Sequence, residues 1–243
     1  MHCKSFRDVQ ISYPLCKDES LIWLKDAPAK LQIYFLEEEF TLTRIYLIRH
    51  GETEWNHTGR LQGNSNVLLS PEGIHQAWLL AEHTPFRNVD AIYSSDLSRA
   101  IMTAEPLAEK FGLPIIQERG FREMNFGEWE GRALSELALS EPGFERFFTK
   151  PDKIHPPGGE TFLEGQARVL TAMDELVDLH DGQSVIVVSH GAIIRLLLCA
   201  ALTIPIRKMW AISQSNSAVN ILCIDGGSAV VELVNSTAHL YKF

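Results

Sequence analysis

The sequence predicts an α/β fold, a three-layer α/β/α sandwich around a mostly parallel, mixed sheet. Two observations carry this reading. Apolar runs with β-branched and aromatic members, Ile45-Tyr46-Leu47-Ile48, Val89-Asp90-Ala91-Ile92-Tyr93 and Val185-Ile186-Val187-Val188, read as strands and alternate with stretches whose apolar residues recur at helical spacing. The last two runs, Asn220-Ile221-Leu222-Cys223-Ile224 and Ala229-Val230-Val231-Glu232-Leu233-Val234, are joined across only Asp225-Gly226-Gly227-Ser228, so they form a hairpin and make the sheet mixed.

A chain of 243 residues accommodates one α/β domain with a full core, plus an appendage. The domain is expected over residues 43–243, behind an N-terminal extension, residues 1–42, of unknown role. Within that extension Leu21-Ile22-Trp23-Leu24 and Leu31-Gln32-Ile33-Tyr34-Phe35-Leu36 each read as a strand or a helix turn. Hydrophobic content of 45% and charged content of 22% are those of a folded soluble chain. The formal charge of -9 argues against nucleic acid or an anionic membrane surface as partner, because no basic face is available to release counterions. It leaves room for a small anion held by a few converging arginines. Cys3, Cys16, Cys199 and Cys223 have no C-x-x-C spacing, so neither a zinc site nor a disulfide framework is expected, and a reducing cytoplasm fits. Residues 1–13 lack the apolar core of a secretory signal. The most apolar segment, residues 192–202, is too short to span a bilayer, carries Arg195, and reads as a buried helix.

In chain order, the first strand opens into Arg49-His50-Gly51-Glu52-Thr53 and then a loop over residues 54–63, rich in hydrogen-bonding side chains and able to wrap an anion. Ser70 and Pro71 start a helix that runs to about residue 82. Ser94-Ser95-Asp96 is expected to cap the next helix, with Leu97, Ala100, Ile101, Ala104, Leu107, Ala108 and Phe111 as its core stripe and Pro106 kinking or splitting it. Arg99 lies off that stripe, beside the helix start, where backbone N–H groups favour an anion. A short strand over residues 113–116 leads to a loop in which glycines and aromatics surround Glu123. Helical turns near 134–139 and 144–148 and a helix over about 161–179 precede the strand that ends in Ser189-His190-Gly191.

Ligands of open α/β sheets bind beyond the carboxyl ends of the strands, and that edge collects Arg49, His50, Arg99, Glu123 and His190. Phosphoryl transfer needs an in-line nucleophile, fixed positive charge around three equatorial oxygens and a proton for the leaving group. Two guanidinium groups, two imidazoles and a carboxyl supply all three. A unit charge about 4 Å from a cation gains on the order of 4 kcal/mol at an effective dielectric near 20, so two arginines do much of what magnesium does elsewhere. No metal or other cofactor is expected. Read as metal ligands, the histidines would need Glu52 or Asp96 as a third partner, and Arg49 and Arg99 would repel a dication.

These residues resemble the histidine phosphatase superfamily, the phosphoglycerate-mutase-like enzymes. The likeness rests on Arg49-His50-Gly51-Glu52-Thr53, Gly59-Arg60-Leu61-Gln62-Gly63, Tyr93-Ser94-Ser95-Asp96-Leu97-Ser98-Arg99-Ala100, Arg122-Glu123 and Ser189-His190-Gly191, in the family's order from about residue 43 to 234. The resemblance implies that His50 becomes phosphorylated, that Arg49, Arg99 and His190 bind the phosphoryl group, and that Glu123 is the general acid and then the base toward water. It also places Asn56, Gln62 and Gly63 at the substrate pocket, although turn formation competes for all three. Asn66 and Leu68 stand where the family usually has aspartate and proline, and Phe121 where it has leucine.

The expected activity is therefore a metal-independent phosphatase, a phosphoric monoester hydrolase of the histidine acid phosphatase type, acting on a small phosphorylated metabolite. The rival within the family is a phosphoglycerate mutase, which would need an inserted cationic segment after the glutamate loop; between Glu128 and Pro156 the cations Arg132, Arg146, Lys150 and Lys153 are scattered. The rival of another class is a non-catalytic scaffold for phosphorylated ligands, which would have no need of a nucleophile. A homodimer stays open. Asn216 is divided evenly between shaping the hairpin and supporting the site, and the remaining histidines, including His83, His180 and His239, are expected at the surface.

Overall fold

The computed structural model describes residues 42–225 and 228–241, so the runs at 21–24 and 31–36 lie outside the described residues. One sheet contains β1 (Thr43–Arg49), β2 (Val89–Ser94), β3 (Ile115–Gln117), β4 (Ser184–Ser189), β5 (Val219–Asp225) and β6 (Ser228–Ser236), in the order β3-β2-β4-β1-β5-β6. Strands β1 to β4 are mutually parallel, β5 runs antiparallel to β1 and β6 to β5. The α-helices are α1 (Glu54–His57), α2 (Pro71–His83), α3 (Ser98–Phe111), α4 (Leu134–Ser140), α5 (Arg146–Thr149), α6 (Phe162–Leu179) and α7 (Gly191–Ala201).

Alternate residues of a strand face opposite sides of the sheet. Ile45, Leu47, Val185 and Val187 accordingly join the core under α6 and α7, while Tyr46, Ile48, Ile186 and Val188 join the one under α2 and α3. Each aliphatic side chain fully withdrawn from water contributes about 1.5–3 kcal/mol. A slip of one residue would exchange the two faces, so burial on both sides fixes the register. The segment between β3 and α6, which carries α4 and α5, closes over the α6/α7 side through Phe126, Trp129, Phe144 and Phe147, which meet Phe162 of α6 and Trp210 beyond α7.

The position of β4 organises the functional edge. It lies between β1 and β2, aligning Ser189 with Arg49 and Val188 with Ser94. The loops carrying His50, Ser95 and His190 therefore leave the sheet side by side, tied by His50 N–H to Ser189 O at 3.0 Å and Ser95 N–H to Val188 O at 2.9 Å.

Several local expectations change. Helix α3 runs unbroken through the buried Pro106, because the apolar stripe of Ala100, Ala104 and Leu107 outweighs the cost of about 3 kcal/mol of an interior proline. Its N-cap is Leu97 rather than Asp96, and the Ser98 N–H is capped from a distant loop by Asn66 Oδ1 at 2.8 Å. Asp96 instead accepts two bonds from Arg122, at 2.5 and 2.6 Å. The third strand begins at Ile115, since Gly112 ends α3 in a left-handed turn and Leu113 still donates to Ala108 O. His239 is buried, not at the surface.

Candidate active site

His50 follows the last residue of β1 and is 2% exposed. Its Nδ1–H donates to the carbonyl of Gly51 at 2.7 Å, which fixes the tautomer and leaves Nε2 with the free lone pair. Asn216 stands behind this contact, its Nδ2 donating to His50 O and Gly51 O at 3.2 Å each and to Asn56 Oδ1 at 3.1 Å. Asn216 therefore bonds the backbone that carries His50. Asn56 also accepts from Thr53 N and Oγ1, closing a capping box on α1.

His190 is the N-cap residue of α7, with its ring centroid 5.2 Å from that of His50. Burial first, then the charges of Arg99 and Arg49, hold the His50 imidazole well below its usual pKa. Burial and Arg99, followed by His50 and Arg49, do the same to His190. Both rings are neutral near pH 7.

Arg99 is wholly buried, more deeply than a helix flank implies. Its Nη2 donates to Gly63 O at 2.7 Å and its Nη1 to Ser65 O at 2.8 Å, so the loop after β1 grips the guanidinium through carbonyls. Arg49 is anchored in the same manner by Nη1 to Gln214 O at 2.5 Å. Burial pushes both guanidinium groups down to about 10, which leaves them charged at neutral pH. Among the described residues Arg49 Nε, Arg99 Nε and His190 Nδ1 are buried without a partner. Each such group costs about 1–3 kcal/mol, more when charged. Three unsatisfied nitrogens close to one imidazole can take up the oxygens of an anion.

Glu123 reaches the same place through α7. Its Oε2 accepts from Ala192 N at 3.2 Å, and its Oε1 from Ile193 N at 3.3 Å and Met124 N at 3.0 Å, so the carboxyl sits on the first turn of the helix that His190 caps. Its charge acts on both Arg49 and Arg99. Sequence reasoning missed the groups that hold this loop. Arg168 on α6 donates to Gly120 O and Arg122 O at 2.8 and 3.0 Å and pairs with Glu160 at 2.7 Å. Glu130 stitches the glutamate loop to the loop gripping Arg99, accepting from Phe126 N, Asn64 N and Ser65 Oγ. The acidic residues set among glycines and aromatics at 127–131 were a usable signal for Glu130; a lone arginine on a helix flank gave none. Gln62 is buried in this loop, with Oε1 unpartnered.

The model of the histidine phosphatase superfamily (branch 1) matches residues 45–237. The chain belongs to the histidine phosphatase superfamily. Within it, Phosphoserine phosphatase 1 of Hydrogenobacter thermophilus is 34% identical over 203 residues, 83% of this chain and 96% of that protein. Phosphoglycerate mutase-like protein 4 of Arabidopsis thaliana is 33% identical over 85% of this chain and 90% of its own length. Among solved structures, Bacillus stearothermophilus YhfR superposes with a TM-score of 0.78 at 33% identity, covering 82% of this chain and all of that one. A phosphoserine phosphatase from Entamoeba histolytica, solved with 3-phosphoglyceric acid, gives 0.73 at 30% identity over 82% of this chain and 100% of that chain. The α/β sandwich around a mixed sheet is thus a histidine phosphatase fold, as the ordered motifs implied.

Proposed function

We propose that this chain is a phosphatase that hydrolyses small phosphomonoesters through a phosphohistidine on His50, without a metal ion. One observation carries the reading: a buried imidazole whose Nδ1–H is committed to Gly51 O, beside three buried nitrogens, two of them on guanidinium groups, with nothing to bond. In the first step His50 Nε2 attacks phosphorus, the bond to the ester oxygen breaks, and Glu123 gives the departing alkoxide its proton. Arg49, Arg99 and His190 meet the charge on the equatorial oxygens. In the second step Glu123 takes a proton from water, the hydroxide oxygen bonds to phosphorus and the P–N bond breaks, returning neutral His50 and inorganic phosphate. Glu123 Oε2 accepts a single amide bond and so keeps a position for that proton.

Phosphatase is favoured over mutase by what Arg132 of the 128–156 segment does. Arg132 is spent on Glu136 and Glu141, which leaves it committed away from a second phosphate. The names of the relatives make phosphoserine and other small phosphorylated metabolites the first esters to try. Among the described residues no helix is long and apolar enough to cross a membrane, and Cys199 and Cys223 are free and buried; the proposed setting is the cytoplasm.

The test is turnover of p-nitrophenyl phosphate in EDTA, followed by an alkaline quench to trap phosphohistidine. Wild type should release phosphate and carry label on His50. Equal rates for wild type and His50→Ala would overturn the proposal, and isomerisation of 3-phosphoglycerate without loss of phosphate would make the protein a mutase.

A further inference from the structure

We infer that Ser95 is a positioning residue that selects the Nδ1–H tautomer of His190, so that this ring offers an N–H to the phosphoryl group. The inference rests on the phosphoryl-binding reading of the site for its consequence, but on hydrogen-bond accounting for its direction.

Ser95 follows β2 and is fully buried. Its Oγ accepts from Leu97 N at 3.3 Å and lies 2.8 Å from His190 Nε2. With one lone pair directed at Leu97, the hydroxyl hydrogen needs an acceptor, and His190 Nε2 is the acceptor in reach among the described residues. A buried hydroxyl left without one carries a desolvation penalty. When Nε2 accepts, the single N–H of a neutral imidazole must be on Nδ1. That is the nitrogen that is buried and unpartnered in the structure. The reverse tautomer would put a bare lone pair on Nδ1, and a phosphoryl oxygen arriving there would meet an acceptor instead of a donor. His50 and His190 thus have matching assignments from unrelated partners. A backbone carbonyl makes His50 Nδ1 the protonated nitrogen and Nε2 the nucleophile, whereas a serine hydroxyl makes His190 Nδ1 the protonated nitrogen and the donor.

The neighbours of Ser95 hold it in this role. Its N–H bonds to Val188 O, two residues before His190, and its carbonyl accepts from Ser94 Oγ at 2.8 Å. The pairing of β2 with β4 therefore sets the hydroxyl against the ring.

The experiment is a long-range proton–nitrogen correlation on protein labelled with nitrogen-15 histidine, with and without inorganic phosphate. The His190 signals are assigned from their loss in His190→Asn. Wild type should show Nδ1 as the protonated, pyrrole-type nitrogen and Nε2 as pyridine-type. Ser95→Ala should shift the ring toward the other tautomer and lower kcat/KM about 10- to 100-fold, the usual size of such a supporting contact. Ser95→Thr, which keeps the hydroxyl, should restore the tautomer and most of the activity. An active wild type in which His190 is protonated on Nε2 overturns the inference and leaves the phosphatase reading standing. The expected tautomer in a protein that turns over no phosphate ester does the opposite. Once His190→Asn has assigned the signals, the wild-type spectrum decides even if the Ser95 variants fail to fold.

Discussion

A side chain on Gly63 would place its Cβ 2.1 Å from Glu130 Oε1. The glycine holds φ at +55°, its carbonyl accepts from Arg99, and Glu130 Oε1 accepts the next amide, Asn64 N–H, at 2.9 Å. A single close approach thereby links a loop carboxylate to the buried cation of the site. Gly63→Ala should cost about 1–3 kcal/mol of stability through the left-handed backbone alone and lower kcat/KM about 10²-fold by displacing Arg99. Thermal melting and ester kinetics check the two effects separately. Wild-type kinetics in the variant would show that the loop does not position the arginine.

Arg99→Lys should fold yet fail as a phosphate ligand. A lysine ammonium cannot bond two loop carbonyls and also present a third N–H in the same plane. The expected loss in kcat/KM is about 10²–10³-fold, together with weaker inhibition by inorganic phosphate. If the variant stays within a factor of about two of wild type, the charge of Arg99 matters and its fork does not.

Leaving-group dependence separates Glu123 from the anion ligands. Because nitrophenolate departs without a proton and an alkoxide does not, Glu123→Gln should slow an alkyl phosphate far more than p-nitrophenyl phosphate. Arg168→Met, which frees the carbonyls of Gly120 and Arg122, should show the same bias more weakly, with kcat reduced about 10-fold and KM little changed. Equal losses on both esters would remove Glu123 from the acid role.

Acid should weaken the fold before the carboxylates titrate. His50, His190 and His239 are all held below the free histidine value by burial, the last at about 4. Below about pH 6.5 the unfolded chain binds protons that the folded one refuses, so stability is complete above that value and falls as pH drops toward the folded pKa values. For His239 alone the loss at pH 5 is about 2 kcal/mol. Denaturant midpoints at pH 7 and 5 should therefore differ by less in His239→Gln than in wild type, and an unchanged difference would refute the assignment. The same depression keeps His50 unprotonated below pH 6.5, so the acidic limb of kcat/KM should lie below the ordinary histidine range.

Much of this was readable from residues alone because the signals were local. The runs ending at Ile48 and Val188 read as strands because they are short, rich in β-branched residues and followed within three residues by a glycine. Ser70-Pro71 had to start a helix, and Ser70 Oγ does accept from Gly73 N at 3.1 Å. Two of the misreadings came where a partner arrived from far along the chain. The cap of α3 comes from Asn66, and Arg99 is buried because carbonyls 34 and 36 residues earlier surround it.

Sequence by itself determined which residue types could do phosphoryl chemistry and that two strands would each deliver a histidine to one edge. Only the tertiary structure decided that β4 inserts between β1 and β2, that carbonyls of Gly63 and Ser65 hold Arg99, and that Glu123 rests on the start of α7. The physical reason is range. Periodicity is set by neighbours within a few residues, whereas the grip on Arg99, the seat of Glu123 on α7 and the contact of Ser95 with His190 join groups 34, 69 and 95 residues apart.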